Sequence, residues 1–109
     1  MISNDIKKEI VDGLIDILSA RIDSIVLYGS VARGDATDDS DVDIAMILVS
    51  SMDRKEIDSF IHWNAQMDLK YGKIFSIVDI EKNNMEKWGD KLPFYKNIKD
   101  DGIVLWKAA

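Results

Sequence analysis

"LYGSVARGDATDDSDVDIAMIL", residues 27–48, is the stretch on which the fold turns. An apolar run ends at Tyr28, Gly29-Ser30 interrupts it, five aspartates fall within residues 35–43, and hydrophobicity then returns. Asp41 and Asp43 alternate with Val42 and Ile44 at the start of what reads as a strand. Successive strand side chains point to opposite faces, so the two aspartates project together while Val42 and Ile44 enter the core. Two like charges so close at a strand end are unfavourable without a counter-charge, and Arg33 is the only basic residue nearby in the sequence. A divalent cation such as magnesium, which takes several carboxylate oxygens at once, is the economical partner.

Upstream, the Gly29-Ser30 turn after a buried strand supplies a complementary half. Glycine lets backbone approach a ligand, and the Ser30 hydroxyl and neighbouring amides can donate to phosphate oxygens. Val31, Ala32 and Arg33 can begin a short helix whose N-terminus faces the same anion. Together the halves would hold a metal-bound triphosphate. Phosphoryl chemistry with two metals about 3.5–4 Å apart usually draws a third carboxylate from another strand. The best candidate is Asp79, an acid inside the apolar run Phe75 to Ile80, where an unpartnered charge is costly. Glu81, two residues on and on the same face, competes with it. Converging, Asp41 and Asp43 would bind metal while Asp79 completes the site and helps deprotonate an attacking hydroxyl.

Working outward, Ile6, Ile10, Leu14, Ile17 and Leu18 predict an amphipathic helix over 4–20, capped by Ser3 or Asn4 and slightly weakened by Gly13. Ser24–Tyr28 is a short buried strand and residues 42–49 a second one. Asp53 and Glu56 form a capping-box pattern opening a helix to about Lys70, with Ile57, Phe60, Ile61 and Met67 on one face and Tyr71-Gly72 at its end. Lys73–Ile80 is a third strand by β-propensity, and a helical turn follows near Met85–Trp88. Pro93 suits a first helical turn, Gly102 a C-terminal cap, and Ile103–Trp106 a short edge strand. The order helix, strand, strand, helix, strand, helix, strand indicates an α/β (α+β) fold, a sheet with helices packed on it.

The 109 residues suffice for one domain and one packed core. Fourteen basic against twenty acidic side chains give a net charge of −6 with no basic run, so direct nucleic-acid binding is not expected. The absence of cysteine excludes disulfides, thiolate metal sites and a cysteine nucleophile. The charged N-terminus lacks the apolar core of a signal peptide, and no apolar stretch approaches the ~18 residues of a membrane span. A cytoplasmic protein is expected.

Gly29-Ser30, ten intervening residues, then Asp41-Val42-Asp43 resembles the Gly-Ser-x10-Asp-x-Asp signature of the minimal nucleotidyltransferases, the smallest members of the DNA polymerase β-like superfamily. Arg33-Gly34-Asp35 and Ser40-Asp41 stand where that group commonly has Arg-Gly and Ser-Asp, and the closing "PFYKNIKDDGIVLW" is similar to the last segment of these small proteins. The resemblance implies a mixed sheet flanked by helices, two magnesium ions, ATP as donor, and transfer of AMP to a hydroxyl with release of pyrophosphate. It further implies an antitoxin that attaches AMP to a tyrosine of a helical HEPN ribonuclease toxin. Carried over by position, Gly29 and Ser30 would contact phosphates, with Arg33 and Ser40 beside them, Asp41 and Asp43 would bind metal, and Asp79 would be the third acid. Two rivals stand beside this reading: nucleotidyl transfer to a small molecule such as an aminoglycoside, and a non-catalytic module that neutralises its partner by occlusion.

The remaining features have plainer readings. Asp35, Asp38 and Asp39 are solvated loop acids, Asp38 or Asp39 being suited to shape a turn. Arg33 pairs with an acid of the loop more readily than it touches nucleotide. His62, with no partner histidine at helical spacing, is a surface or boundary residue. Of Trp63, Trp88 and Trp106, at least two complete the core.

Overall fold

The computed structural model describes residues 2–109. Helix α1 (Asn4–Leu18) begins where Ser3 accepts a hydrogen bond from the Ile6 amide, and it buries Ile10, Leu14 and Leu18 along one face. It stops at Leu18 rather than residue 20 because Ser19 turns to a positive φ of 50°. Strand β1 (Ile22–Tyr28) runs into a one-turn helix, α2 (Gly29–Arg33), which starts at the glycine itself. After the acidic loop come β2 (Val42–Leu48) and α3 (Arg54–Tyr71). The capping box is complete: Asp53 accepts from the Glu56 amide at 2.8 Å and Glu56 from the Asp53 amide at 2.9 Å. Strand β3 (Phe75–Glu81), helices α4 (Lys82–Trp88) and α5 (Pro93–Asp101), and strand β4 (Ile103–Lys107) complete the chain. Gly102 follows α5 with extended backbone rather than a left-handed cap (φ −68°, ψ 140°).

The four strands lie in the order β3-β2-β1-β4. β1 pairs antiparallel with both β2 and β4, whereas β2 and β3 are parallel, joined by α3 as a crossover. A sheet with helices packed on it is the architecture the element order predicts, and its mixed pairing is what the family resemblance implies.

Strand alternation divides the core in two. On one face Ile25, Leu27, Val42, Ile44, Met46, Leu48 and Phe75 pack with α1 and with Met67 of α3. On the other, Val26, Ala45, Ile47 and Ile80 pack with Ile98 of α5, with Tyr28, Val78, Met85 and Tyr95 against them. Trp63 and Trp106 border the first cluster, as expected of core-completing residues, and His62 is exposed. Of the apolar residues expected along α3, Met67 is buried, Phe60 is half-buried, and Ile57 and Ile61 face outward. Among the described residues, no helix is long and apolar enough to cross a membrane.

Candidate active site

The site forms where β1 ends and β2 begins. Tyr28 is the register partner of Asp43, so these side chains are neighbours on the sheet face that α4 and α5 cover. Asp41 precedes β2 by one residue and follows the same alternation, which places it beside Asp43 on that face. Gly29 leaves the strand at φ +74°, in the left-handed region where residues with a Cβ are strained, and it meets Asp43 closely. A Cβ there would overlap Asp43 Oδ2 and lie 3.1 Å from its Cγ. Glycine is thus required twice over: by the turn, and by the carboxylate lying against it. Ser30, half-buried, follows in the first turn of α2.

Electrostatically, the pair has no direct counter-charge, Arg33 acting on it only from a distance. Among the described residues, neither Asp41 nor Asp43 forms an ion pair or a side-chain hydrogen bond. Several other acids have partners, Glu9 with Lys70 and Tyr71, Asp23 with Lys82 and Lys107, Glu56 with Arg21, Asp90 with Lys99, whereas those without one, such as Asp38, Asp39 and Asp79, are exposed. Burial pushes the Asp43 carboxyl above the usual aspartate range, the Asp41 charge pushes it further, and Arg33 pulls it partly back. Burial and the Asp43 charge likewise raise the Tyr28 hydroxyl. Tyr28 also meets Phe94 of α5 edge-on, ring centroids 6.0 Å apart.

Of the candidates read from the sequence, Gly29, Ser30, Asp41 and Asp43 come together. Arg33 reaches the neighbourhood but is shared between Asp35 at 3.4 Å and Asp101 of α5 at 3.8 Å. Ser40 serves the loop: its Oγ accepts from the Thr37 amide at 2.9 Å, and its amide donates to the Thr37 carbonyl at 3.1 Å. Asp38 and Asp39 are the central residues of this turn, and Ser40 closes it.

Asp79 is not brought to the pair. The parallel register sets Asp43 beside Ser76 and Asp79 beside Met46, three residues further along β2. Asp79 shares the alternation of Phe75 and Ile77, which pack on the α1–α3 side, so it belongs to the opposite face from Asp43. Glu81 has the same parity and accepts from Ser51 Oγ at 3.2 Å. The expectation that an acid in an apolar run needs a partner fails because β3 is an edge strand on which Asp79 is exposed. The β3 residue beside Asp43 is Ser76; no sequence signal marks it, since its place depends on how two distant strands align.

Asp41 and Asp43 suit a hard divalent cation: two carboxylates on one face, lacking a positive partner, behind a turn with room for close approach. Among the described residues, no group of three or more histidines, cysteines, aspartates or glutamates is arranged to hold a metal ion. Among the described residues, the carboxylates that the fold brings together here are Asp41 and Asp43.

A family model described as "Polymerase beta, Nucleotidyltransferase" matches residues 12–108. Two proteins of Methanocaldococcus jannaschii are similar over most of their length. "Putative protein adenylyltransferase MJ0604" is 36% identical over 102 residues, covering 91% of this chain and 93% of the relative. "Putative protein adenylyltransferase MJ0141" is 30% identical over 91 residues, covering 84% and 92%. Among solved structures, one of a toxin–antitoxin with AMP-PNP superposes with a TM-score of 0.65 at 17% identity, over 94% of this chain and 73% of that one. Another, of a tri-AMPylated Shewanella oneidensis HEPN toxin in complex with MNT antitoxin, gives 0.60 at 14% identity, over 98% and 74%. At such identities the structures establish likeness of fold, whereas the family model reaches across nearly the whole sequence. With its Gly-Ser turn and paired aspartates on the strand that the turn faces, this chain belongs to the polymerase β-type nucleotidyltransferase family.

Proposed function

We propose that this protein transfers AMP from ATP to a protein hydroxyl, acting in the cytoplasm as the antitoxin that modifies a tyrosine of a HEPN-family toxin. The observation that carries the reading is the Asp41–Asp43 pair, without a direct counter-charge, against the Gly29-Ser30 turn. The likeness, over most of the chain, to two proteins named "Putative protein adenylyltransferase" supports the donor, and the fold shared with toxin–antitoxin structures supports the partner.

In this reading Gly29 and Ser30 hold the phosphates, the glycine by leaving room for them and the serine by donating its hydroxyl. Asp41 and Asp43 hold magnesium, which supplies charge neutralisation at the phosphate oxygens. Gly29 keeps the Asp43 carboxylate beside the phosphate turn, so donor and carboxylates stay in fixed relation. Tyr28 closes the site toward α5 through its contact with Phe94. The acceptor hydroxyl oxygen forms a bond to the α-phosphorus and releases its proton to solvent, the α–β bridging P–O bond breaks, and pyrophosphate leaves. Arg33, tied to Asp101, joins α2 to α5 and fixes the edge of the site.

The deciding experiment is intact-mass spectrometry of a HEPN partner after incubation with this protein, ATP and magnesium. One or more added AMP units, absent with the Asp41→Asn/Asp43→Asn double variant, is the expected outcome. A stable complex with no mass change would replace transfer by occlusion. Modification of an aminoglycoside instead of the protein would move the acceptor to a small molecule.

A further inference from the structure

Resting on that reading, we propose that Ser76 stands where a third carboxylate would enter the site, so that the protein binds its nucleotide with one divalent cation rather than two. The geometry follows from the β2–β3 register. Ser76 is the direct neighbour of Asp43, and adjacent strands lie about 4.8 Å apart, within reach of an acidic side chain. Val78 and Ile80, the next β3 residues on that face, are apolar and pack with Ala45 and Ile47. The two acids of β3, Asp79 and Glu81, lie on the other side. From α4, α5 and the turn between them, Asp90 and Asp100 pair with Lys99 and Lys96, Asp101 faces Arg33, and Glu86 lies by Asp23, Ser24 and Lys107 at the opposite end of β1. Ser76 makes no side-chain hydrogen bond among the described residues, so its hydroxyl lines the site without tying it to another element.

Two carboxylates and the phosphate oxygens can share a cation, but a second one beside the acceptor oxygen would have no carboxylate from β3. Activating the acceptor then falls more heavily on the acceptor's own acidity. A phenol, with a pKa near 10, ionises far more readily than an aliphatic hydroxyl. One cation therefore favours a tyrosine acceptor over a sugar hydroxyl.

The test is equilibrium dialysis of the intact protein with Mn2+ and AMP-PNP, counting cations bound per nucleotide bound, with electron paramagnetic resonance on the same samples. The wild type is expected to hold one Mn2+ per AMP-PNP and to show no coupled Mn2+ pair. Ser76→Asp should approach two and display the coupling of ions about 3.5–4 Å apart. Ser76→Ala and Asp79→Asn should both stay at one. Two cations per nucleotide in the wild type would overturn the inference while leaving nucleotidyl transfer standing, as would loss of a cation in Asp79→Asn. Failure of the wild type to retain any AMP-PNP with Mn2+ would instead overturn the proposed function. The wild-type count decides even if Ser76→Asp does not fold.

Discussion

Replacing Gly29 by alanine separates two effects that usually occur together. Gly29 and Gly34 both have left-handed backbone, φ +74° and +83°, but an added Cβ at Gly34 meets nothing within 4 Å, whereas at Gly29 it overlaps the Asp43 carboxylate. Gly34→Ala thus measures backbone strain alone, about 1–2 kcal/mol, or roughly 5–10 °C in Tm for a domain of this size. Gly29→Ala carries the same strain. Its added clash costs little further stability, because a carboxylate at the end of a side chain can swing aside, although Asp43 Cβ at 3.3 Å limits how far. The displaced group is the one to which the proposed function gives magnesium, and misplacement by about 1 Å costs on the order of 100-fold in rate. Thermal denaturation and AMP transfer measured on both variants should therefore show similar losses in Tm but a loss of roughly two orders of magnitude in transfer for Gly29→Ala only. Equal transfer rates in the two variants would refute the role given to the Gly29–Asp43 contact.

Asp43→Asn should abolish transfer while raising stability at neutral pH. Because the folded carboxyl is raised, the native state holds more protons than the unfolded chain above the ordinary aspartate value near 3.9; stability drops as pH rises through that window, and the penalty persists above it. The gain from asparagine, followed by urea denaturation, should thus be present at pH 7 and vanish below about pH 3. Asp23 has the opposite sign. Burial pushes its carboxyl up, but the Lys82 hydrogen bond, the Lys107 and Lys82 charges and the Ser24 hydroxyl outweigh it and leave the group below the usual range. Its contribution is present above the ordinary value and lost as pH falls through the lowered one, so Asp23→Asn should cost about 1 kcal/mol at pH 7 and nothing near pH 2 by the same assay. Gly13→Ala should destabilise by about 1–3 kcal/mol despite a gain of up to about 1 kcal/mol in helix propensity, since a Cβ would lie 2.8 Å from Trp63 Cζ2; calorimetry would read this. Asp79→Asn should retain AMP transfer within about threefold, an initial-rate measurement that a carboxylate acting in the site would fail.

What the sequence determined by itself was local. The alternation of Asp41 and Asp43 with Val42 and Ile44, the glycine that must turn before Ser30, and the Asp53–Glu56 capping box each depend on residues a few positions apart, whose relative directions follow from backbone geometry. Gly13 marks the limit of such reading: along α1 it is only a weak helix former, and its reason, the Trp63 ring, arrives from α3. Ser40 and Arg33 show the same limit inside the motif, one engaged by Thr37 and the other held by Asp101 from the far end of the chain. The third position of the site was decided by tertiary structure alone. Asp79 and Ser76 are both polar residues in an apolar strand, and only the alignment of β3 on β2 determines which of them faces Asp43. Strand side chains alternate with a period of two, so an odd step in pairing exchanges the faces, and that step is set by packing of Phe75 and Ile77 on one side and Val78 and Ile80 on the other.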